Sequence, residues 1–182
     1  MSDATESGVV NRGIRYVREK HADAVVEEGE YAGQPWITVK PEAIPDVARG
    51  LKGEAGFEML EDLTAVDYLD RPDVEGRFRV VYHFLSLSRA EMVRVKAYVE
   101  DEDVEVPTIS DLFGIANWLE REVYDMFGIV FKDHPNLRRI LMDEDFDGFP
   151  CRRDFPWHGR IPIEDPMREK DFERGVAGEF TR

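Results

Sequence analysis

The sequence predicts an α+β fold: a single domain in which a mixed or antiparallel sheet has helices packed on one face, in the order α-β-β-α-β-β-β-α, followed by an extended C-terminal arm. Three observations lead there. Alternating runs at Phe78, Val80, Tyr82, Phe84 and at Val93, Val95, Ala97, Val99 have the two-residue period of half-buried strands, and the few residues between them imply an antiparallel hairpin. Apolar stripes at three- and four-residue intervals before, between and after the strands mark helices. From residue 131 to 166 five prolines (135, 150, 156, 162 and 166) exclude one long regular element. The chain thus divides into an α+β core over residues 1–131 and an arm and tail over 132–182.

In chain order, Val9 to Lys20 is a short amphipathic helix through Val10, Ile14 and Val17. A strand near Ala24 to Val26 and another at Trp36 to Val39 follow, with turn-like residues from Gly29 to Pro35 between them. Pro41 to Leu51 places Ile44, Val47, Ala48 and Leu51 on one helical face, with Gly53 after it. Next come a strand over Phe57 to Tyr68, a polar turn with Pro72 and Gly76, and the hairpin. The acidic run Glu100 to Glu105 reads as a solvated loop leading through Pro107 to a last helix.

That last helix carries Leu112, Ile115, Ala116, Leu119, Val123 and Met126 in one stripe. Thr108 or Ser110 is placed to cap its start, with Asp111 in the first turn, and Gly128 is placed to end it. Arg121 and Asp125 project away from the stripe, four apart and able to pair, while Glu120 and Glu122 flank the buried face. The spacing favours a solvated face over a rim that positions a following segment. Beyond the helix, Ile140, Leu141, Met142, Phe146, Phe149, Phe155 and Trp157 are too apolar for a segment that buries nothing, so the arm lies on a surface, its own or a partner's. Arg138, Arg139, Arg152, Arg153 and Arg160 among those aromatics give it the composition of an interface. Internal pairing with Asp125, Asp143 or Asp154 is the alternative, and both can hold together.

Composition narrows the function classes. The net charge of −15 opposes binding to nucleic acid or to anionic lipid. The charge sits in the core: residues 1–131 hold 27 acids and 14 bases, whereas 132–160 holds six of each. One cysteine, Cys151, excludes an intramolecular disulfide and cannot furnish a cluster; its neighbouring arginines act to lower its pKa, but packing fits it better than reactivity. No apolar leader and no run near the ~20 residues of a membrane span is present, so a soluble chain on the cytosolic side is expected. His21, His83, His134 and His158 form no metal-ligand pair on one helix. His83 belongs on the sheet face opposite Val80, Tyr82 and Phe84, and a His134 ring nitrogen is placed to fix the turn before Pro135. Asp143, Asp145, Asp147 and Gly148, with Asp154 at the twelfth position, begin a calcium-loop pattern that Pro150 and Pro156 oppose. No Gly-rich phosphate loop or nucleophile elbow appears, and no active site of the chain's own is expected.

The strings ANWLEREVYDMFGIVF (116–131), HPNLRRIL (134–141) and GFPCRRDFP (148–156) resemble the signature of the 30 kDa, or C, subunit of proton-pumping NADH:quinone oxidoreductase, respiratory complex I. Upstream, LTAVDY (63–68), VVYHFLSLS (80–88) and RVKAYV (94–99) are similar to the strands that precede it in that family. Phe149, Cys151 and Asp133 depart from the family's usual histidine, leucine and glycine or asparagine. The resemblance implies a cofactor-free, non-catalytic subunit of the hydrophilic arm, peripheral to the cell inner membrane on its cytoplasmic side and attached only through partners. Those partners would be the 49 kDa-type (D) subunit and the iron–sulfur subunits, which carry FMN and the clusters that pass electrons from NADH to quinone, coupled to proton translocation. The residues implied in holding them are Glu120, Arg121, Asp125, His134, Arg138, Arg139, Arg152, Arg153, Asp154 and Phe155. Equivalent subunits of energy-converting hydrogenases and of ferredoxin- or F420-dependent dehydrogenases are an alternative. A stand-alone metal-binding module built on Asp143 to Asp154 is another, of a different class.

Overall fold

The computed structural model describes residues 11–71, 76–101 and 104–156. The first helix, α1 (Arg12–Lys20), begins where the Asn11 side chain accepts the amides of Gly13 and Ile14 at 2.9 and 3.2 Å, and it buries Ile14 and Val17. A Cβ at Gly13 would lie 2.7 Å from Val93, so glycine lets α1 seat directly on the sheet. Val9 and Val10 of the expected helix lie outside the described residues.

Strand β1 (Val25–Tyr31) runs through Gly29 and Glu30, where the sequence implied a turn. It is an edge strand whose last residues are all exposed, so it shows no alternation; the ladder to β2 (Gln34–Val39) defines it instead. The turn narrows to Ala32 and Gly33, both at positive φ. A 3-10 turn at Pro41–Ala43 then leads into α2 (Ile44–Gly53), which buries Ile44, Val47, Ala48 and Leu51 as its stripe predicts. Strands β3 (Met59–Asp67), β4 (Phe78–Ser86) and β5 (Glu91–Val99) follow, with β4 and β5 forming the expected hairpin.

The five strands order as β1-β2-β5-β4-β3, parallel between β2 and β5 and antiparallel elsewhere. One face buries Val80, Tyr82, Phe84, Val93, Val95 and Ala97 beneath the helices, with the Phe84 and Phe113 rings 5.5 Å apart. This is the mixed sheet with helices on one face that the sequence predicts. His83 lies on the opposite face, half-buried, as its position in the alternation requires.

The last part departs from expectation in two ways. Glu105 is not loop: β6 (Glu105–Pro107) pairs in parallel with β7 (Val130–Lys132), because Val106 and Phe131 are buried at 0% and 2% exposure. Strands of three residues are too short to show a period. The helix between them, α3 (Ala116–Phe127), starts six residues after Ser110, has no side-chain cap and no acid in its first turn. Thr108 does not cap α3: its hydroxyl donates to Glu120 and accepts the Ser110 amide at 3.1 Å. Leu112 and Ile115 therefore precede the helix, and Ile115 is 49% exposed. Gly128 ends α3 as predicted, at φ 75°, with its amide donating to the Tyr124 carbonyl at 2.8 Å. Among the described residues no helix is long and apolar enough to cross a membrane.

Candidate functional site

Helix α3 turns a charged face inward. Asp125 is fully buried and Arg121 is 8% exposed, so the solvated face favoured by their spacing gives way to the rim that positions a following segment. They do not pair with each other. Arg121 stacks 5.1 Å over Trp118 and donates from Nε and Nη2 to the carbonyls of Arg138 and Arg139, both at 3.1 Å. Asp125 Oδ2 accepts the consecutive amides of Ile140, Leu141 and Met142 at 3.0, 2.7 and 2.9 Å. Its Oδ1 takes Arg139 Nη1 at 2.6 Å. Burial alone would raise the Asp125 pKa, but the three amides and the guanidinium hold it below the usual carboxylate value.

Arg139 then gathers the rest of the arm. Its Nη2 donates to the carbonyls of Phe146 and Gly148 at 2.9 and 3.0 Å, and its guanidinium lies 5.8 and 5.4 Å from the Phe146 and Phe149 rings. Phe155 stacks on Phe146 with centroids 5.9 Å apart. Arg152 crosses to the helix C-terminus, where Nε donates to the Phe127 carbonyl at 2.5 Å and the guanidinium is held between Phe78 and Phe149. A side chain on Gly128 would come within 2.5 Å of Phe149, so this glycine both ends α3 and lets the arm close over it. The Cys151 amide donates to the Met126 carbonyl at 3.0 Å, while the residue itself is exposed rather than packed. Partial desolvation by the surrounding arm, with Glu122 nearby, pushes its thiol pKa up, against the lowering expected from the arginines.

The arm also closes on the sheet, through residues that the sequence did not single out. Arg77, with its side chain 9% exposed, meets Asp67 at 3.3 Å, Asp101 at 2.9 Å and Asp154 at 2.8 Å. Asp67 Oδ2 also accepts the Arg153 amide at 2.9 Å. With Asp154 turned to Arg77, the twelfth position of the calcium-loop pattern is engaged elsewhere, and among the described residues no three His, Cys, Asp or Glu groups are arranged to hold a metal ion.

At the other end of α3, Glu120 is fully buried. It accepts the Ile109 amide at 2.8 Å and the Thr108 hydroxyl, tying the helix to the segment after β6. Burial raises its pKa to about 7, against the lowering by those two bonds. Tyr82 lies close enough for Glu120 to act on it; its buried hydroxyl has no partner among the described residues, and burial with Glu120 pushes its pKa well up. His134 does fix its turn: Nδ1 accepts the Asn136 amide at 3.0 Å, so Nε2 carries the proton and donates to the Asn117 carbonyl at 3.1 Å. Burial lowers the His134 pKa, favouring the neutral ring, and Glu120 at 3.8 Å is beyond hydrogen-bonding distance. Asp133, where the family usually has glycine or asparagine, stands at φ 64°, which explains that preference.

The structure thus brings Arg121, Asp125, Arg139, Arg152, Asp154 and Phe155 together as internal clasps, and Glu120 and His134 into a second polar nest. The exposed residues Arg138 and Arg153 use their backbone only; neither guanidinium bonds to a described residue. Trp157, His158 and Arg160 lie outside the described residues. The Arg77 and Asp67 hub was missed because its members stand up to 86 positions from their partners, and no periodicity reports a contact of that range.

Comparison with known proteins places this arrangement. The model of the family described as respiratory-chain NADH dehydrogenase, 30 Kd subunit, matches residues 37–161. The C subunit of NADH-quinone oxidoreductase from Geobacter metallireducens is 43% identical over 158 residues, 87% of this chain and 95% of the relative. Its counterpart in Rhodobacter capsulatus, also the C subunit of that oxidoreductase, is 45% identical over 150 residues, 81% and 73% of the two chains. Among solved structures, a trypsin-resistant fragment of Nqo5 superposes with a TM-score of 0.62 at 38% identity, covering 69% of this chain and 99% of the fragment. A chain of the archaeal membrane-bound sulfane sulfur reductase superposes at 0.64 and 25% identity over 93% of both. With the matched region running through sheet, helix and arm alike, this chain belongs to the 30 Kd subunit family of respiratory-chain NADH dehydrogenase.

Proposed function

We propose that the chain is the C subunit of an NADH:quinone oxidoreductase and acts there as a cofactor-free clamp between its neighbours. The observation that carries this reading is the arm. Residues 133–156 are fastened to α3 and the sheet by buried polar bonds, while the guanidiniums of Arg138 and Arg153 are left without a described partner. A loop of this length held rigid, with planar cations turned outward, is suited to recognising carboxylates on adjoining subunits. The 49 kDa-type subunit and the iron–sulfur subunits are the partners in this reading, which sets the chain peripherally at the cytoplasmic face of the inner membrane. In this reading FMN and the clusters belong to those neighbours; a single cysteine cannot by itself ligate a cluster. Fixing the distances between subunits that carry electrons from NADH to quinone is then the contribution of this chain.

A second reading changes only the complex. The chain of the archaeal sulfane sulfur reductase shares the fold over 93% of its length, and in this reading the present chain is the clamp of a complex with a different electron acceptor. Affinity purification of the tagged chain from its host in mild detergent decides between them. The expected result is co-elution of flavin and iron–sulfur absorbance with NADH:quinone activity; sulfur-reducing activity would transfer the chain to the second reading, and a colourless single chain would overturn both. Replacing Arg138 and Arg153 together with alanine is expected to lower the yield of assembled complex while leaving the melting temperature of the chain unchanged.

A further inference from the structure

The sheet face turned away from the helices is covered by no element among the described residues, yet its side chains are tightly ordered. The register sets Trp36, Arg94 and His83 in one cross-strand row and Thr38, Lys96 and Val81 in the next. The Lys96 ammonium sits 3.6 Å from the centroid of the Trp36 ring, and the Arg79 guanidinium lies 5.5 Å from both Tyr68 and Tyr98. Arg94 donates to Gln34 and His83 at 2.6 and 2.8 Å. These long side chains roof the centre of the face so well that Thr38 and Val81 are 0% and 9% exposed without a helix above them.

The charge at the centre of this face opposes that of the chain. In a molecule of net charge −15, Arg79, Arg94 and Lys96 share one central carboxylate, Glu27, which already holds Arg79 at 2.7 Å and the Thr38 hydroxyl at 3.2 Å. Asp62, 3.9 Å from His83, and Glu61, which also acts on that ring, stand on the edge strand, outside the cationic centre. No carboxylate reaches Lys96 within ion-pair distance, and Arg79 Nε is buried with no acceptor, among the described residues. A cationic centre bearing tryptophan, with half-buried Leu85 and Met92 on the next row, has the make-up of a protein interface core, where aromatic, Met and Arg side chains concentrate. Side chains already stacked lose little freedom on docking. The strongly acidic remainder of the chain repels nucleic acid and anionic bilayers. Residues 157–182 hold five bases and six acids, which gives that segment no charge excess to match the face.

We propose that this outward face, centred on Trp36, Arg94 and Lys96, docks another subunit of the assembly through carboxylates set among apolar side chains. The inference rests on the reading of the chain as an assembly subunit. It predicts a second attachment surface, independent of the arm.

The test places a benzophenone amino acid at Leu85 in the tagged full-length chain, expressed in its host, and irradiates the purified complex. A cross-link to an Asp- or Glu-containing peptide of a different subunit is expected. In competition with wild-type chain, the double variant Arg94→Glu, Lys96→Glu is expected to enter the complex about tenfold less often. Cross-links confined to residues 157–182, to a second copy or to lipid, or none at all from complexes that contain the chain, overturn the proposal. A chain absent from every complex would instead overturn the subunit reading. Because the cross-linking chain is otherwise native, it decides the matter even where the charge reversal unfolds the sheet.

Discussion

The sheet-and-helix body and the returning arm reach order by opposite routes. In the body, Ile37, Leu51, Phe57, Phe78 and Tyr82 are fully buried, and stability is spread over many apolar side chains from every element. Between residues 133 and 156 no large apolar side chain is fully buried. Order there is concentrated instead in Asp125, Arg139, Arg152 and Arg77, each binding several groups at once. Spread stability degrades gradually when one member is lost, whereas concentrated stability fails at single residues and answers to pH.

Asp125→Ala is the sharpest way to break the contrast. It strips one buried acceptor from three amides and leaves Arg139 largely buried without its carboxylate, a loss of about 3–5 kcal/mol by the behaviour of buried pairs. Denaturant unfolding should register that loss, and limited proteolysis should cut within 133–156 before the body opens. Leu51→Ala, at 0% exposure, should cost a comparable 2 to 5 kcal/mol, roughly, through its cavity, yet leave the arm's protection intact relative to global unfolding. If Asp125→Ala left the proteolytic pattern unchanged, the arm would not depend on that carboxylate.

How much of this the sequence discloses follows the same division. Strong periods identified β4, β5 and α2, because apolar burial writes itself as spacing, and Gly128 marked the end of α3 through its freedom at positive φ. The clasps are written less clearly. Asp125 binds backbone amides, which every residue possesses, so nothing in the identities of Ile140, Leu141 and Met142 announces the contact. Arg121 likewise reaches carbonyls, which is why its spacing from Asp125 suggested a pair that does not form. The resemblance singles out α3 and the arm, where the clasps lie. It did not distinguish Arg139, which turns inward, from Arg138, which does not.

Gly128→Ala tests the seam between the two regions. The position combines φ 75° with a Cβ contact of 2.5 Å to Phe149, so alanine is strained by its backbone and also displaces the arm's aromatic. A cost of about 1–3 kcal/mol is expected, with faster cleavage in the arm and little change in the unfolding cooperativity of the body. An equally stable, equally protected variant would mean that Phe149 and Arg152 have room to shift and that the seam is looser than its geometry implies.

The smallest effect, and the most diagnostic, concerns the direction of pH dependence. Asp125 has a folded-state pKa below its usual value, so its contribution is present above the unfolded pKa and is lost as acid protonates the folded carboxylate. Glu120 behaves in the opposite sense. Its pKa rises from 4.5 to about 7 on folding, so between those values the folded state holds more protons than the unfolded one and stability falls as pH rises. The groups facing it do not reverse this: burial and Arg121 lower the His134 pKa, Tyr82 is pushed further from ionising, and Asp111 adds to the upward shift. Glu120→Gln keeps an acceptor for the Ile109 amide and cannot ionise, so the decline between pH 4.5 and 7 should flatten while the acid limb set by Asp125 persists. Urea unfolding midpoints of the two chains across that interval check it. Parallel curves would show that folding leaves the Glu120 pKa at its unfolded value, and Glu120 would then work near neutral pH as a charged acceptor like those of the arm.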